Sequence, residues 1–65
     1  MKLRRIENGF EVVQDGAVYG QIDVVDGVPL YTSEGGIAAW SSDALIDLLR
    51  LLLLIENDDI ADVME

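Results

Sequence analysis

Residues 8–27 read NGFEVVQDGAVYGQIDVVDG, in which short apolar segments alternate with turn residues. This stretch holds three dipeptides that mark tight turns: Asn8-Gly9, Asp15-Gly16 and Asp26-Gly27. Asn-Gly and Asp-Gly suit a two-residue type I′ turn, because both of its central positions need a positive φ angle. The segments around these turns, residues 2–7, 10–14, 17–25 and 28–32, are rich in β-branched and aromatic residues. The sequence therefore predicts a four-stranded antiparallel β-meander over residues 1–33.

Two-residue turns also predict which residues pair across the strands. The predicted pairs beside the turns are Glu7 with Phe10, Gln14 with Ala17, and Val25 with Val28. One face of the sheet would then carry Leu3, Phe10, Val12, Tyr19, Val25, Val28 and Leu30. The other would carry Ile6, Val13, Val18, Ile22, Val24 and Tyr31. Neither face is polar, so the pattern predicts a sheet that needs cover on both sides, although a bulge would exchange some of these residues.

The second half of the chain has the pattern of a helix. We interpret residues 34–40, which contain Gly35-Gly36, as a linker, and Ser41 as the N-cap of a helix over residues 42–56. Trp40 is placed to pack on Leu45 as a hydrophobic staple. The acidic tail, residues 57–65, would continue this helix, form a short second one or fray. The predicted fold is a single small α+β domain, 1–65, with one main C-terminal helix over residues 41–56.

The predicted helix is apolar over most of its surface. Asp43, Asp47 and Arg50 form a narrow polar stripe, and leucine and isoleucine fill roughly 220° of the remainder. A typical surface helix buries an apolar stripe of about 100°, so a four-stranded sheet cannot cover this one completely. We therefore predict a homodimer that associates through Leu45, Leu48, Leu49, Leu52 and Leu53. A chain of 65 residues without cysteine also lacks the disulfides that often stabilise proteins of this size.

The charge is strongly negative: thirteen acidic and four basic residues give a net charge of -9. Phosphate-binding proteins carry the opposite sign, so direct binding of nucleic acid is not expected, nor is binding to an anionic membrane. The charge would suit a protein partner with a basic surface, and the alternative is that it only keeps the chain soluble. The candidate partner-binding residues are Asp43, Asp47, Glu56, Asp58, Asp59, Asp62 and Glu65.

Catalysis, metal binding and cofactor binding all lack the residues they need. Without histidine or cysteine, the serines have no base to activate them, and the commonest transition-metal ligands are missing. Asp58 and Asp59 are not followed by the glycine and glutamate of a calcium loop. We therefore predict no catalytic residue, no metal and no cofactor. The apolar run 45–55 is short and contains two charges, so we expect a soluble protein, and the lack of cysteine suits the reducing cytoplasm as its location.

The small size, the missing Cys and His, the carboxylates of residues 56–65 and the sheet-plus-helix layout resemble the small acidic inhibitors of phages and mobile elements, including anti-CRISPR proteins and DNA mimics. That resemblance implies a non-enzymatic protein that blocks the basic nucleic-acid-binding surface of a host complex, in the host cytoplasm. If the tail is helical, Asp58, Asp62 and Glu65 lie on one face and imitate phosphates. The alternative is a small homodimeric structural or adaptor protein that associates through the leucine-rich helix.

Overall fold

The chain forms a four-stranded antiparallel sheet followed by one helix, which confirms the predicted α+β fold. The computed structural model describes residues 1–34 and 40–65. The strands are β1 (Lys2–Ile6), β2 (Gly9–Gln14), β3 (Ala17–Val25) and β4 (Val28–Ser33), and they lie in the order of the sequence. The helix α1 spans Ser42–Glu56, and a 3₁₀ turn spans Ala61–Val63. The predicted break at Gly35-Gly36 lies outside the described residues.

Two of the three predicted turns have the expected geometry. Asp15 and Gly16 have φ angles of 51° and 79°, and Asp26 and Gly27 have φ angles of 53° and 79°. These are the positive values that a type I′ turn requires. Gln14 accordingly pairs with Ala17, and Val25 pairs with Val28, as predicted.

The first turn differs from the prediction. Ile6 pairs with Gly9, so Glu7 and Asn8 are the central turn residues, and the predicted pairing of Glu7 with Phe10 is wrong. Gly9 belongs to β2, where a Cβ atom would collide with the carbonyl oxygen of Ile22 on β3. The glycine therefore allows β2 and β3 to approach closely at Gly9, which is compatible with a position inside β2 but not with a side chain there.

A β-bulge in β3 changes which side chains enter the core. Moving away from the Asp15-Gly16 turn, Val13 of β2 pairs with Val18 of β3. Val12 then pairs with Gly20 instead of Tyr19, so Tyr19 has no partner on β2 and is the extra residue of the bulge. One extra residue moves every later side chain of the strand to the opposite face. Ile22 and Tyr31 consequently share the inner face with Leu3, Phe10 and Val12. The predicted placement of Val25, Val28 and Leu30 on that face is wrong.

The bulge is held by hydrogen bonds to one carbonyl group. The Tyr19 carbonyl oxygen accepts from the Glu34 backbone N–H at 2.9 Å and from the Tyr31 hydroxyl at 3.0 Å. Burial raises the pKa of the Tyr31 hydroxyl above its ordinary value of 10.0, so this donor stays protonated at neutral pH. Gly20 follows the bulge, and a Cβ there would lie 2.5 Å from the Thr32 carbonyl oxygen. The bulge thus depends on a residue without a side chain.

The core forms where the inner face of the sheet meets the helix. Leu3, Val12 and Ile22 are fully buried, and Leu48 and Leu51 of α1 complete the centre of the cluster. The Ser41 hydroxyl caps the helix by accepting from the Ala44 backbone N–H at 3.1 Å, as predicted.

The indole of Trp40 packs edge-on against two tyrosine rings. Its centroid lies 5.4 Å from that of Tyr19 and 5.8 Å from that of Tyr31. Leu45, the predicted staple partner of Trp40, is half exposed. Trp40 therefore anchors the start of the helix to the sheet.

The tail folds back onto the core and does not continue the helix. Asp58 has a φ angle of 54°, and the Asp58 and Asp59 N–H groups donate to the Ile55 and Leu54 carbonyl oxygens. This is the Schellman pattern that ends helices. Met64 then forms a parallel bridge with Leu3, and the Glu65 N–H donates to the Leu3 carbonyl oxygen at 2.8 Å. Of the three alternatives predicted for the tail, the short second helix is closest to the observed structure, in which the tail forms a single 3₁₀ turn.

Candidate functional site

The helix α1 divides into a buried face, an exposed apolar face and a polar flank. Leu48 and Leu51 are buried against the sheet, and Leu52 and Ile55 pack on the same cluster. These positions are spaced by three and four residues, as expected for one side of a helix. One sheet covers one side only, and Leu45, Leu49 and Leu53 face away from it.

The exposed apolar face is here called the leucine stripe and consists of Leu45, Ile46, Leu49 and Leu53. Their side chains are between 50% and 64% exposed, with Ile46 the most exposed. Leu45, Leu49 and Leu53 follow one another at four-residue spacing, and Ile46 lies three residues before Leu49. The stripe is therefore a continuous apolar surface along the outside of the helix.

The predicted self-association residues fall into two groups. Leu45, Leu49 and Leu53 lie in the leucine stripe. Leu48 is only 7% exposed and belongs to the core of the chain itself, and Leu52 is partly buried against the same core. Leu48 is therefore removed from the candidate contact surface. Ile46 was missed, although its spacing from Leu49 and Leu53 places it beside them on a helical wheel.

The polar flank of the helix contains Asp43, Asp47 and Arg50, all exposed, with Arg50 nearest to the stripe and Asp47 farthest from it. An Asp47 oxygen lies 3.8 Å from the Met1 amine. Arg50 makes no ion pair, hydrogen bond or ring contact with any residue in 1–34 or 40–65. It is thus a cation at the edge of an apolar surface.

The other three basic side chains are engaged within the chain. Arg4 donates to the Glu11 carboxylate at 2.8 Å, and Arg5 lies 4.9 Å from the centre of the Phe10 ring. Lys2 donates to the Asp62 carbonyl oxygen at 3.1 Å. These contacts leave Arg50 as the basic side chain best placed to meet a partner.

A depression of about 280 Å³ lies between the polar flank, the N-terminal residues and the tail. Its charged lining residues are Lys2, Asp47, Arg50 and Asp62. Both signs of charge are represented there, so the depression has no single electrostatic preference. Over the two described ranges, no group of three or more acidic, histidine or cysteine side chains is arranged to hold a metal ion.

All seven candidate acidic residues are exposed, but they do not form one row. Asp43, Asp47 and Glu56 lie on the helix, and Asp58 and Asp59 lie in the turn that ends it. Asp62 is in the 3₁₀ turn, and Glu65 lies 3.9 Å from Arg4. Because the tail is not α-helical, Asp58, Asp62 and Glu65 lack the helical spacing that a row of phosphate-like charges would need.

The outer face of the sheet has a second apolar area, whose residues were predicted to share the face of Leu3, Phe10 and Val12. Val25, Val28 and Leu30 are each about half exposed there. Their position follows from the bulge at Tyr19, which reverses the faces beyond it. The signal that would have found it is Gly20, since a glycine inside a strand often marks a bulge.

Comparison with known protein families, with curated proteins and with solved structures found no match for this chain. Across residues 1–34 and 40–65, the helices are too short to cross a membrane.

Proposed function

We propose that this chain is a non-enzymatic protein-binding module that presents an acidic surface to a basic partner. The partner class is a protein with a nucleic-acid-binding surface, which the module would block in the manner of a DNA mimic. The proposal rests on the charge: the net value is -9, and all seven candidate carboxylates are exposed. Such a charge density speeds association with a surface of opposite sign.

The carboxylates of this surface are available to a partner. Within the described part of the chain, only Asp47 and Glu65 of the seven lie within 4 Å of a cationic group. Exposed pairs of this kind contribute about 1 kcal/mol or less, so they do not prevent a partner from competing for the carboxylates. Asp58, Asp59 and Asp62 are close in sequence and fixed by the helix end and the 3₁₀ turn. These three are the first to test.

Neutralising the tail should weaken the complex with a basic partner. The triple variant D58N/D59N/D62N removes three charges, and we expect slower association and roughly tenfold weaker binding, because rim charges act mainly on the encounter rate. The measurement is recovery of bound proteins from host lysate on immobilised protein at low and at high salt. Partners recovered at low salt are then tested for binding kinetics and for displacement of DNA or RNA.

The matched control is E7Q/D15N/D26N, which removes the same charge from the strand turns. Asparagine is well suited to the positive φ angles of Asp15 and Asp26, so this variant should fold. Binding that is lost equally in both triple variants would indicate a general charge effect. Binding that neither salt nor the tail variant changes would refute the acidic contact.

A second candidate function is a homodimeric structural or adaptor protein, and the leucine stripe favours it. Four large apolar side chains in one continuous row, each at least half exposed, form an unusual surface for a monomer of this size. Burying a leucine fully contributes about 1.5–3 kcal/mol, so pairing two stripes is a substantial driving force. The two candidates are compatible, because the acidic tail lies outside the stripe.

The purified protein should therefore be a dimer at micromolar concentration. Light scattering would report twice the mass of one 7.1 kDa chain. The dimer should persist at high salt, because its contact is apolar and because salt screens the repulsion between two anionic chains. Thermal stability should rise with protein concentration. A folded monomer at the highest accessible concentration would rule out this candidate.

A further inference from the structure

The leucine stripe runs directly into the negatively charged end of α1. Leu45, Leu49 and Leu53 follow one another at four-residue spacing, and Glu56 comes three residues after Leu53. Around the helix axis Glu56 therefore lies about 20° from Leu49, inside the arc that the stripe covers. Ser42, at the other end of the helix, lies about 20° from Leu49 on the other side. Both end residues are exposed, so the stripe is uncharged at one end and anionic at the other.

The carboxylates at that end are here called the acidic end and consist of Glu56, Asp58 and Asp59. Asp58 and Asp59 lie in the turn that closes the helix, immediately after Glu56. Residues 53–56, the last turn of α1 and all within the described part of the chain, contain no basic residue. A helix C-terminus itself carries a partial negative charge, which lysine and arginine side chains often offset. Across residues 1–34 and 40–65, no cationic group lies within 4 Å of these three carboxylates.

We propose that the leucine stripe and the acidic end together bind one amphipathic helix of a partner protein, with an apolar face and with lysine or arginine at one end. The inference rests on the proposed function, the binding of a basic partner. It adds the secondary structure of the partner's contacting segment and the position of its basic residues relative to its apolar ones.

The shape of the stripe favours a helix as the contacting element. A row of side chains at four-residue spacing forms a ridge, and such ridges pack into the grooves between the ridges of another helix. The row from Leu45 to Leu53 extends about 12 Å along the axis, and Glu56 lies about 4.5 Å further on. The partner helix should therefore present apolar residues over about two turns and basic residues about one turn beyond them.

Charge favours a basic helix over a second copy of this chain. A second copy brings another net charge of -9, and its own stripe also ends at a carboxylate. The only basic residue of its helix is Arg50, about 100° around the axis from Leu49. A second copy thus covers the leucines without neutralising the acidic end, whereas a basic amphipathic helix does both. Because both would occupy the same leucines, the partner helix should displace the second copy, and the homodimer and the complex are alternative states.

Synthetic peptides of about 20 residues test this inference, since shorter helices are marginal in water. The first peptide has leucines along one helix face and lysines at one end. The second has glutamates in place of those lysines, and the third keeps the lysines but distributes the leucines around the helix. We expect the first to bind, and the other two to bind at least about tenfold more weakly. Calorimetry measures the affinities, and light scattering should report a complex of one chain with one peptide.

Variants of the protein locate the contact. E56Q/D58N/D59N should weaken binding of the first peptide about tenfold, and Leu49→Glu should remove it. Asparagine suits the positive φ angle of Asp58, so the triple variant should fold. The matched controls are E7Q/D15N/D26N, which removes the same charge from the strand turns, and Leu30→Glu, which changes a leucine of similar exposure in the sheet. Both controls should bind the first peptide as the original chain does, and thermal unfolding checks the fold of each variant.

The outcomes separate this inference from the proposed function. Equal binding of the first and third peptides, or unchanged binding to Leu49→Glu, would exclude the stripe from the contact and leave the acidic contact standing. Equal loss in both triple variants would overturn the role of the acidic end. A first peptide that does not bind overturns the inference, whereas the proposed function is judged by the lysate recovery. A peptide that binds while the dimer persists would show that partner and second copy use different surfaces, which also overturns it.

Discussion

Replacing Leu49 with glutamate should convert the proposed dimer into a folded monomer. Leu49 is 56% exposed in the single chain and lies at the centre of the leucine stripe. In a paired stripe the Leu49 side chain of each copy is buried against the other copy, so the variant would bury two carboxylates where two leucines were. We expect the dimer dissociation constant to rise by about a hundredfold or more. Light scattering over a range of concentrations measures this change.

Leu30→Glu is the matched control for that experiment. Leu30 is the same residue type with nearly the same exposure, 52%, but it lies on the outer face of the sheet. The Leu30→Glu variant should leave the proposed dimer unchanged if the helix forms the contact. Circular dichroism of both variants checks that each is folded. If Leu30→Glu dissociates the dimer and Leu49→Glu does not, the contact lies on the outer face of the sheet.

Truncating Ile22 should be among the most damaging single changes in the sheet. Ile22 is fully buried between Phe10 and Tyr31, so Ile22→Ala should lower the free energy of unfolding by about 2–5 kcal/mol. That is comparable with the entire stability expected of so small a domain, and the variant should be largely unfolded. Ile22→Val, with an expected cost of about 0.5–1.5 kcal/mol, gives a measurable value. Urea unfolding followed by circular dichroism reports both.

Val25→Ala is the companion that tests the bulge. Without an extra residue at Tyr19, Val25 would share the core face with Phe10 and Ile22 would not. In the structure Val25 is 51% exposed, so its truncation should cost less than about 1 kcal/mol. A larger loss for Val25→Ala than for Ile22→Ala would mean that β3 pairs without the bulge.

Local signals predicted the element boundaries well. The φ angles of Asp15, Gly16, Asp26 and Gly27 are those that Asx-Gly turns need, because the requirement resides in the turn residues themselves. The helix begins after Ser41 and ends at Glu56, as expected from the capping hydroxyl and the apolar period.

Features that depend on distant residues were predicted less well. The turn at Glu7-Asn8 and the bulge at Tyr19 both depend on how neighbouring strands fit, β2 against β3 through Gly9 and Ile22, and β3 against β4 through Gly20 and Thr32. The positions of this turn and this bulge therefore cannot be predicted from one strand taken alone. The docking of the tail on Leu3 is likewise a contact between opposite ends of the sequence.

The leucine stripe was predictable in kind but not in detail. The width of the apolar arc correctly indicated that one sheet cannot cover the helix, and Leu45, Leu49 and Leu53 are exposed accordingly. Leu48 is buried and Ile46 is exposed, whereas Leu48 was predicted in the contact surface and Ile46 was not. Which of the two is exposed depends on how the helix is rotated about its axis over the sheet, and a helical wheel does not give that rotation. The seven candidate carboxylates are exposed, but they are not arranged as predicted, because the helix ends before Asp58 and the tail is not α-helical.

The bridge between Leu3 and Met64 has a consequence for the order of folding. The two-residue turns join neighbouring strands, so the hairpins need only short loops to close, whereas this bridge joins the two ends of the sequence. During synthesis, the outer edge of β1 therefore stays without its cover until residue 64 has been added. Unpaired strand edges are sites where chains aggregate. Lys2, Arg4 and Arg5 place three positive charges on that strand, and like charges on nascent copies discourage edge-to-edge pairing until the tail docks.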